Sequence, residues 1–190
     1  MNKNSLALAE REGLPPALRT LVTAFPREAW AAHPNFHGMV TFWLERHMMF
    51  RKLHEVLVSD IEAVLGKSQD PTAYAARLAK FGGLLLNELH THHHVEDDHY
   101  FPLLQAADPS LAAGFEILDL DHKTLDTELQ GFADAANAVL RTDLQSVEAL
   151  PMGGLEDVTR RLGQFLDRHL TDEEEIVVPI ILKHGPEAIA

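Results

Sequence analysis

LHTHHHVEDDHYFP, residues Leu89 to Pro102, is the stretch from which this chain is read. It holds five of the twelve histidines, three acidic residues and a closing proline. On a helix, residues four apart lie one above the other on the same face. His92 and Glu96 therefore point one imidazole nitrogen and one carboxylate oxygen the same way, as two ligands of one metal ion would.

The arrangement returns later in the chain. In His169-Leu170-Thr171-Asp172-Glu173, a His again precedes a Glu by four, and Pro179 follows that Glu as Pro102 follows Glu96. A lone His-x-x-x-Glu is more simply a polar pair on a solvated helix face. Two of them in matched frames, with matched prolines, point to one site.

Composition narrows the classes. At 190 residues the chain suits one domain with a real core. Sixteen basic against twenty-nine acidic residues give a formal charge of -13, which argues against nucleic acid and anionic membrane surfaces as partners. With no cysteine, disulfides, thiolate metal sites and cysteine-held iron–sulfur clusters are excluded. No apolar run is long enough to span a bilayer, and the first residues turn charged too early for a secretory signal. The expectation is a soluble, cytoplasmic protein.

Working outward, residues 1–35 contain Pro15, Pro16, Pro26 and Pro34, so helices there are short. Leu14, Leu18, Leu21, Val22 and Phe25 have helical spacing and suit a brace without chemistry of its own. From about Phe36 to Leu65 apolar residues recur at threes and fours, and Gly66 follows where a helix end favours positive φ. Asp70-Pro71 starts a second helix that runs through Leu78, Phe81, Leu85 and Leu89 into the histidine stretch, with Pro102 ending or kinking it. Asp108-Pro109 repeats the start signal for a third helix, through Leu118, His122 and Leu129 to Leu140. Thr142 to Gly154 reads as a loop. A fourth helix passes Leu162, His169 and Glu173 to Pro179, and residues from Ile180 onward read as a tail.

Four long helices with short connections, and no strand-period segment, predict an all-α up-down-up-down bundle. Its expected limits are 36–182, after an N-terminal helical extension at 1–35 and before a tail at 183–190. The helices also fall into two pairs: Ala63-Val64-Leu65 and Ala138-Val139-Leu140 end the first and third alike, and in that frame His47 matches His122. One pair then offers His47, His92 and Glu96, the other His122, His169 and Glu173. His54, seven residues after His47, is the alternative on the first helix, and Glu174 the alternative to Glu173. His93, His94 and His99 are left outside the ligand set, and Trp43 and Phe50 are taken as core.

At these residues the chain resembles the hemerythrin-like, or HHE cation-binding, family: a His on helices one and three, and His-x-x-x-Glu on helices two and four. The resemblance implies a four-helix bundle around two non-haem iron ions. His47, His92, Glu96, His122, His169 and Glu173 would be its metal ligands, with carboxylates bridging. It also implies binding or sensing of dioxygen or nitric oxide, or iron and redox handling. Proteins similar to the oxygen carriers have a further His where this chain has Asp126, which implies a set poorer in imidazole.

Apart from the resemblance, imidazole and carboxylate without thiolate suit iron, manganese or zinc, and Glu96 and Glu173 are the residues to bridge two ions. Asp97, Asp121 and Asp172 are near enough in sequence to hold the outer ring nitrogens of ligating histidines. Phe50, Phe81, Leu85, Leu125 and Phe165 suit an apolar pocket for a small ligand. Outside the cluster there is no nucleophile motif or cofactor loop, so the expectation leans away from an enzyme. The competing readings are a di-metal enzyme activating oxygen or peroxide, and a zinc-bound or metal-free bundle acting as an interaction module. A sensor would need a separate protein partner to pass its signal.

Overall fold

The computed structural model describes residues 6–142 and 150–186, and every regular element among them is helical. The helices are α1 (Thr20–Ala24), α2 (Met39–Leu65), α3 (Pro71–Val95), α4 (Phe101–Ala107), α5 (Ala112–Leu140) and α6 (Met152–His184). Short 3₁₀ turns lie at Pro16–Leu18, Arg27–Ala32 and Pro109–Leu111, and a π-helical turn at Glu96–Tyr100 joins α3 to α4. No described helix is long and apolar enough to cross a membrane.

The chain divides into two compact units. The first comprises Met1–Met48, His92–Thr124 and Asp167–Ala190, the second Met49–Thr91 and Leu125–Leu166. In the second, Leu57, Leu78, Leu85, Phe132 and Leu162 are among the buried core, and Arg77 Nε donates to Asp60 Oδ2 at 2.8 Å between α3 and α2. The Asp70 carboxylate caps α3 as its sequence predicts, accepting from the N–H groups of Thr72 and Ala73 at 3.0 and 2.9 Å. The left-handed position after α2 is taken by Lys67, with φ 57°, and not by Gly66. The N–H of Ser68 closes that end on Ala63 O at 2.9 Å.

In the first unit, Leu14, Leu18, Leu21 and Trp30 share one buried cluster with Trp43, Phe115 and Ile176, so the proline-broken N-terminal segment does pack as a brace. Two expectations fail here, after one that holds: the second helix is distorted before Pro102, where a wide turn at Glu96–Tyr100 interrupts it, and it resumes as α4. A proline ring crowds the carbonyl four residues back, here Asp98 inside that turn. Asp108 makes no side-chain cap. Its carboxylate accepts instead from Ser110 Oγ, from Lys183 Nζ at 2.7 Å and from His184 Nε2 at 3.1 Å, tying the start of α5 to the end of α6.

Nor is the stretch from Ile180 a tail. The helix α6 continues through Pro179 to His184, and Ile176, Val177, Val178, Ile180, Ile181 and Leu182 are all buried. Each such side chain contributes about 1.5–3 kcal/mol by leaving water. A helix apolar all round belongs in a core. At its other end α6 begins at Met152, inside the expected loop; positions 143–149 of that loop lie outside the described residues.

Candidate metal centre

All six ligand candidates belong to the first unit. The helix α2 supplies Trp43 and His47, one turn apart. The end of α3 supplies His92 and His93, and Glu96 opens the π-helical turn. His122 lies on α5, and His169, Glu173 and Glu174 on α6. His47, Glu96, His122, His169 and Glu173 are buried, and His92 is nearly so.

These side chains form two groups. His47, His92, Glu96 and Glu173 bring one ligand atom each within 4.8 Å of one another, and so do His93, His122 and His169. Neighbouring residues on a helix point about 100° apart, which is why His92 and His93 serve different groups. Glu96 is four residues from His92 and three from His93, so it faces both.

The two carboxylates straddle the groups. Glu96 Oε1 is 2.9 Å from His92 Nε2, while its Oε2 is 3.6 Å from His122 Nε2. Glu173 Oε1 is 3.4 Å from His47 Nε2, and its Oε2 is 3.5 Å from His169 Nε2. Between His47 and His92 the Nε2 atoms approach to 3.2 Å. The His93 and His122 rings stack at 4.1 Å between centroids.

The donor atoms point at one another with little else to bind. Both ring nitrogens of His93 and of His169, Nε2 of His122, both oxygens of Glu96 and Oε2 of Glu173 are buried without a hydrogen-bond partner among the described residues. Each such group ordinarily costs about 1–3 kcal/mol when left unsatisfied, and so many in one place fit a cation-binding site. Five imidazoles, two carboxylates and no thiolate form a donor set for iron, manganese or zinc.

Burial sets the protonation states. It holds His92 down at about 3, with His47, His169 and His122 adding repulsion, and lowers His93 and His169 in the same way. Burial also pushes Glu96 well above the usual carboxylate range, with the charge of Glu173 adding to the rise. For Glu173 the burial penalty is outweighed by His47, His92 and His169, which hold it well below that range. His47 is correspondingly raised, because Glu173 and Glu174 outweigh its own burial.

Around this core, Trp43 Nε1 donates to Glu173 Oε1. Glu174 Oε1 lies 3.0 Å from His47 Nδ1, and Asp97 Oδ1 lies 2.9 Å from His122 Nδ1. Asp121 Oδ2 is 3.6 Å from His169 Nδ1, outside hydrogen-bond range. Asp172 binds Arg11 and Arg168.

The structure thus brings His47, His92, Glu96, His122, His169 and Glu173 together, and it adds His93, which the sequence reading left out. A signal for it existed in the spacing His92-His93-x-x-Glu96. The search for a matched repeat hid it, because Leu170 stands after His169. Trp43 was likewise read as core alone. His54 sits in the second unit, where its Nε2 meets Thr159 O at 2.9 Å, and Glu174 takes an outer place behind Glu173. Asp126 and His99 are exposed. Phe50, Phe81, Leu85, Leu125 and Phe165, the expected pocket residues, all belong to the second unit.

A comparison with known families matches residues 38–181 to the hemerythrin HHE cation binding domain. No curated protein and no solved structure matches the chain.

Proposed function

The chain belongs to the hemerythrin HHE cation-binding family, and on that premise we propose that it holds two non-haem iron ions and binds or senses dioxygen or nitric oxide. Handling of iron and redox stress falls within the same reading, with α2, α3, α5 and α6 forming an up-down-up-down bundle. The supporting observation is that each of two buried carboxylates, Glu96 and Glu173, turns one oxygen to each of two imidazole groups.

His47 and His92 would serve one ion, His93, His122 and His169 the other, and Glu96 and Glu173 both. Iron so held supplies one-electron redox chemistry and affinity for small ligands. The two-imidazole side has fewer protein donors, so it is the side with room for an exogenous ligand. The residues of this chain do the rest. Burial keeps His92, His93 and His169 neutral and ready to donate a lone pair, while the adjacent His47 holds Glu173 as an anion and the indole N–H of Trp43 donates to the same carboxylate. Glu96 and His47, whose environment favours the protonated form, would give up protons to serve as ligands. His93 adds an imidazole to a set that lacks one at Asp126, which favours ligand binding over substrate turnover.

The test is metal content by mass spectrometry on anaerobically purified protein, with an absorption spectrum before and after admitting air. About two irons per chain, and a near-ultraviolet change that reverses on removing oxygen, are the expected results. Steady consumption of peroxide or oxygen would support an enzyme instead. Zinc alone, or no metal, would leave an interaction module.

A further inference from the structure

The N-terminal segment was read as a brace with no chemistry, yet it sends two arginines to the outer side of the site. Arg27 Nη2 is 2.7 Å from Glu174 Oε2, and the other oxygen of that carboxylate, Oε1, is 3.0 Å from His47 Nδ1. Arg27 is half-exposed and its guanidinium lies over the Trp30 ring at 4.6 Å.

Arg11 goes deeper. Its side chain is buried, as are the two aspartates it binds: Nε donates to Asp172 Oδ2 at 2.8 Å, and Nη1 and Nη2 form a fork on Asp121. Nη1 also donates to Leu6 O at 2.6 Å, which ties the guanidinium to its own segment. Arg168 completes the network, donating to Asp172 Oδ1 at 2.5 Å and to Glu12 O at 2.7 Å. Two guanidinium and two carboxylate charges thus cancel, with Arg11 and both carboxylates buried and Arg168 partly exposed. Asp121 is the carboxylate that faces Nδ1 of His169.

A ligating histidine depends on what holds its second ring nitrogen, because that contact fixes the tautomer and the plane of the ring. A buried carboxylate can do this only if a counter-charge keeps it ionised and in place. Arg27 anchors Glu174 at hydrogen-bond distance from His47, and Arg11 anchors Asp121 3.6 Å from His169, a charge contact and not a hydrogen bond, one for each imidazole group.

We propose that the segment Leu6–Ala32 is a working part of the metal centre: Arg27, acting through the Glu174 carboxylate that meets Nδ1 of His47, positions His47, and Arg11 fixes Asp121 as the charge that faces Nδ1 of His169 at 3.6 Å, beyond a hydrogen bond. This rests on the two-metal reading above. It makes the affinity for the two ions depend on docking of a segment that holds no ligand itself.

The experiment is a titration of the full-length, metal-free chain with cobalt(II), whose visible bands report ligand geometry, with circular dichroism to establish folding. Arg27→Met changes a half-exposed residue and retains the fold; Arg11→Lys keeps the buried charge but cannot fork across Asp121 while serving Asp172. Each is expected to fold with wild-type helicity and to weaken one of two cobalt sites by about 10–100-fold, the usual scale for loss of an outer partner. The bands of that site should shift, Arg27→Lys should recover most of the loss, and exposed Arg19→Met should change nothing. A folded variant with wild-type affinity and bands removes its arginine from the role. Should wild type itself take up no cobalt, the two-metal reading fails, and the positioning role with it.

Discussion

Replacing His93 by leucine should move the metal-free and metal-loaded protein in opposite directions. Both ring nitrogens of His93 are buried without a partner among the described residues, and burial lowers the ring's affinity for a proton. A neutral imidazole always carries one N–H, so at least one donor is stranded, at a cost of about 1–3 kcal/mol. Leucine fills nearly the same space without a polar atom, against the stacked His122 ring and the edge of His169. The metal-free His93→Leu protein should therefore be more stable by about 1–3 kcal/mol, or some 2–4 °C in Tm for each kcal/mol.

With metal present the sign reverses. One group keeps only His122 and His169 as imidazoles, so uptake should fall from two ions towards one. The stabilisation that grows as the logarithm of metal concentration over Kd is lost for that ion. The assay is thermal unfolding of wild type and variant, each with chelator and with excess iron(II) under argon, alongside metal counting. Stabilisation by leucine in chelator with loss of one ion in metal is the expected pair. A variant that is less stable in chelator and still binds two ions would refute the argument, leaving His93 a packing residue.

Acid should destabilise the metal-free protein well above the carboxylate range. Burial holds His92, His93 and His169 below the ordinary imidazole value when folded, so they take up protons on unfolding and stability falls as pH drops below that value; Glu96 and His47, both raised in the folded protein, oppose this in part. Three lowered imidazoles against two raised groups leave a net loss of stability, read as a fall in the urea midpoint at fixed slope from about pH 6.5 to 5, and a flat profile would contradict it. Metal loading should alter the emission of Trp43, whose indole N–H meets Glu173. That change should survive Trp30→Phe and vanish in Trp43→Phe, and its persistence in Trp43→Phe would separate the indole from the site.

The parts of the molecule legible in the sequence were those carried by periodicity. Apolar residues at threes and fours located α2, α3 and α5, Asp70-Pro71 marked the start of α3, and the matched His-x-x-x-Glu pairs assembled six residues that do converge. What periodicity could not carry was misread. Proline is a breaker in isolated helices, and a wide turn does distort the helix before Pro102, but Pro179 lies within a run buried on every side, so tertiary packing holds it in helix. Asp108 has the composition of a cap and spends its carboxylate on Lys183 and His184, a pairing across 75 and 76 residues that no local pattern announces.

The larger omission concerned residues 1–35, and its cause is the same. Arg11 reaches partners 110 and 161 residues away, and Arg27, which precedes the family match, meets Glu174 near its far end. Neither arginine has a motif around it. Their meaning comes from burial: a guanidinium in water is one surface charge among many, whereas one shielded between Asp121 and Asp172 must be matched charge for charge. The same rule explains the orphaned atoms of the centre itself. A fold stabilised by packing alone would not collect His93, Glu96, His122, His169 and Glu173 with their donors turned inward and unpaired. It would bury leucines there, as it does at Leu118 and Leu125 on the same helix as His122. The stability forgone in the empty protein is the physical argument that these positions are kept for a cation.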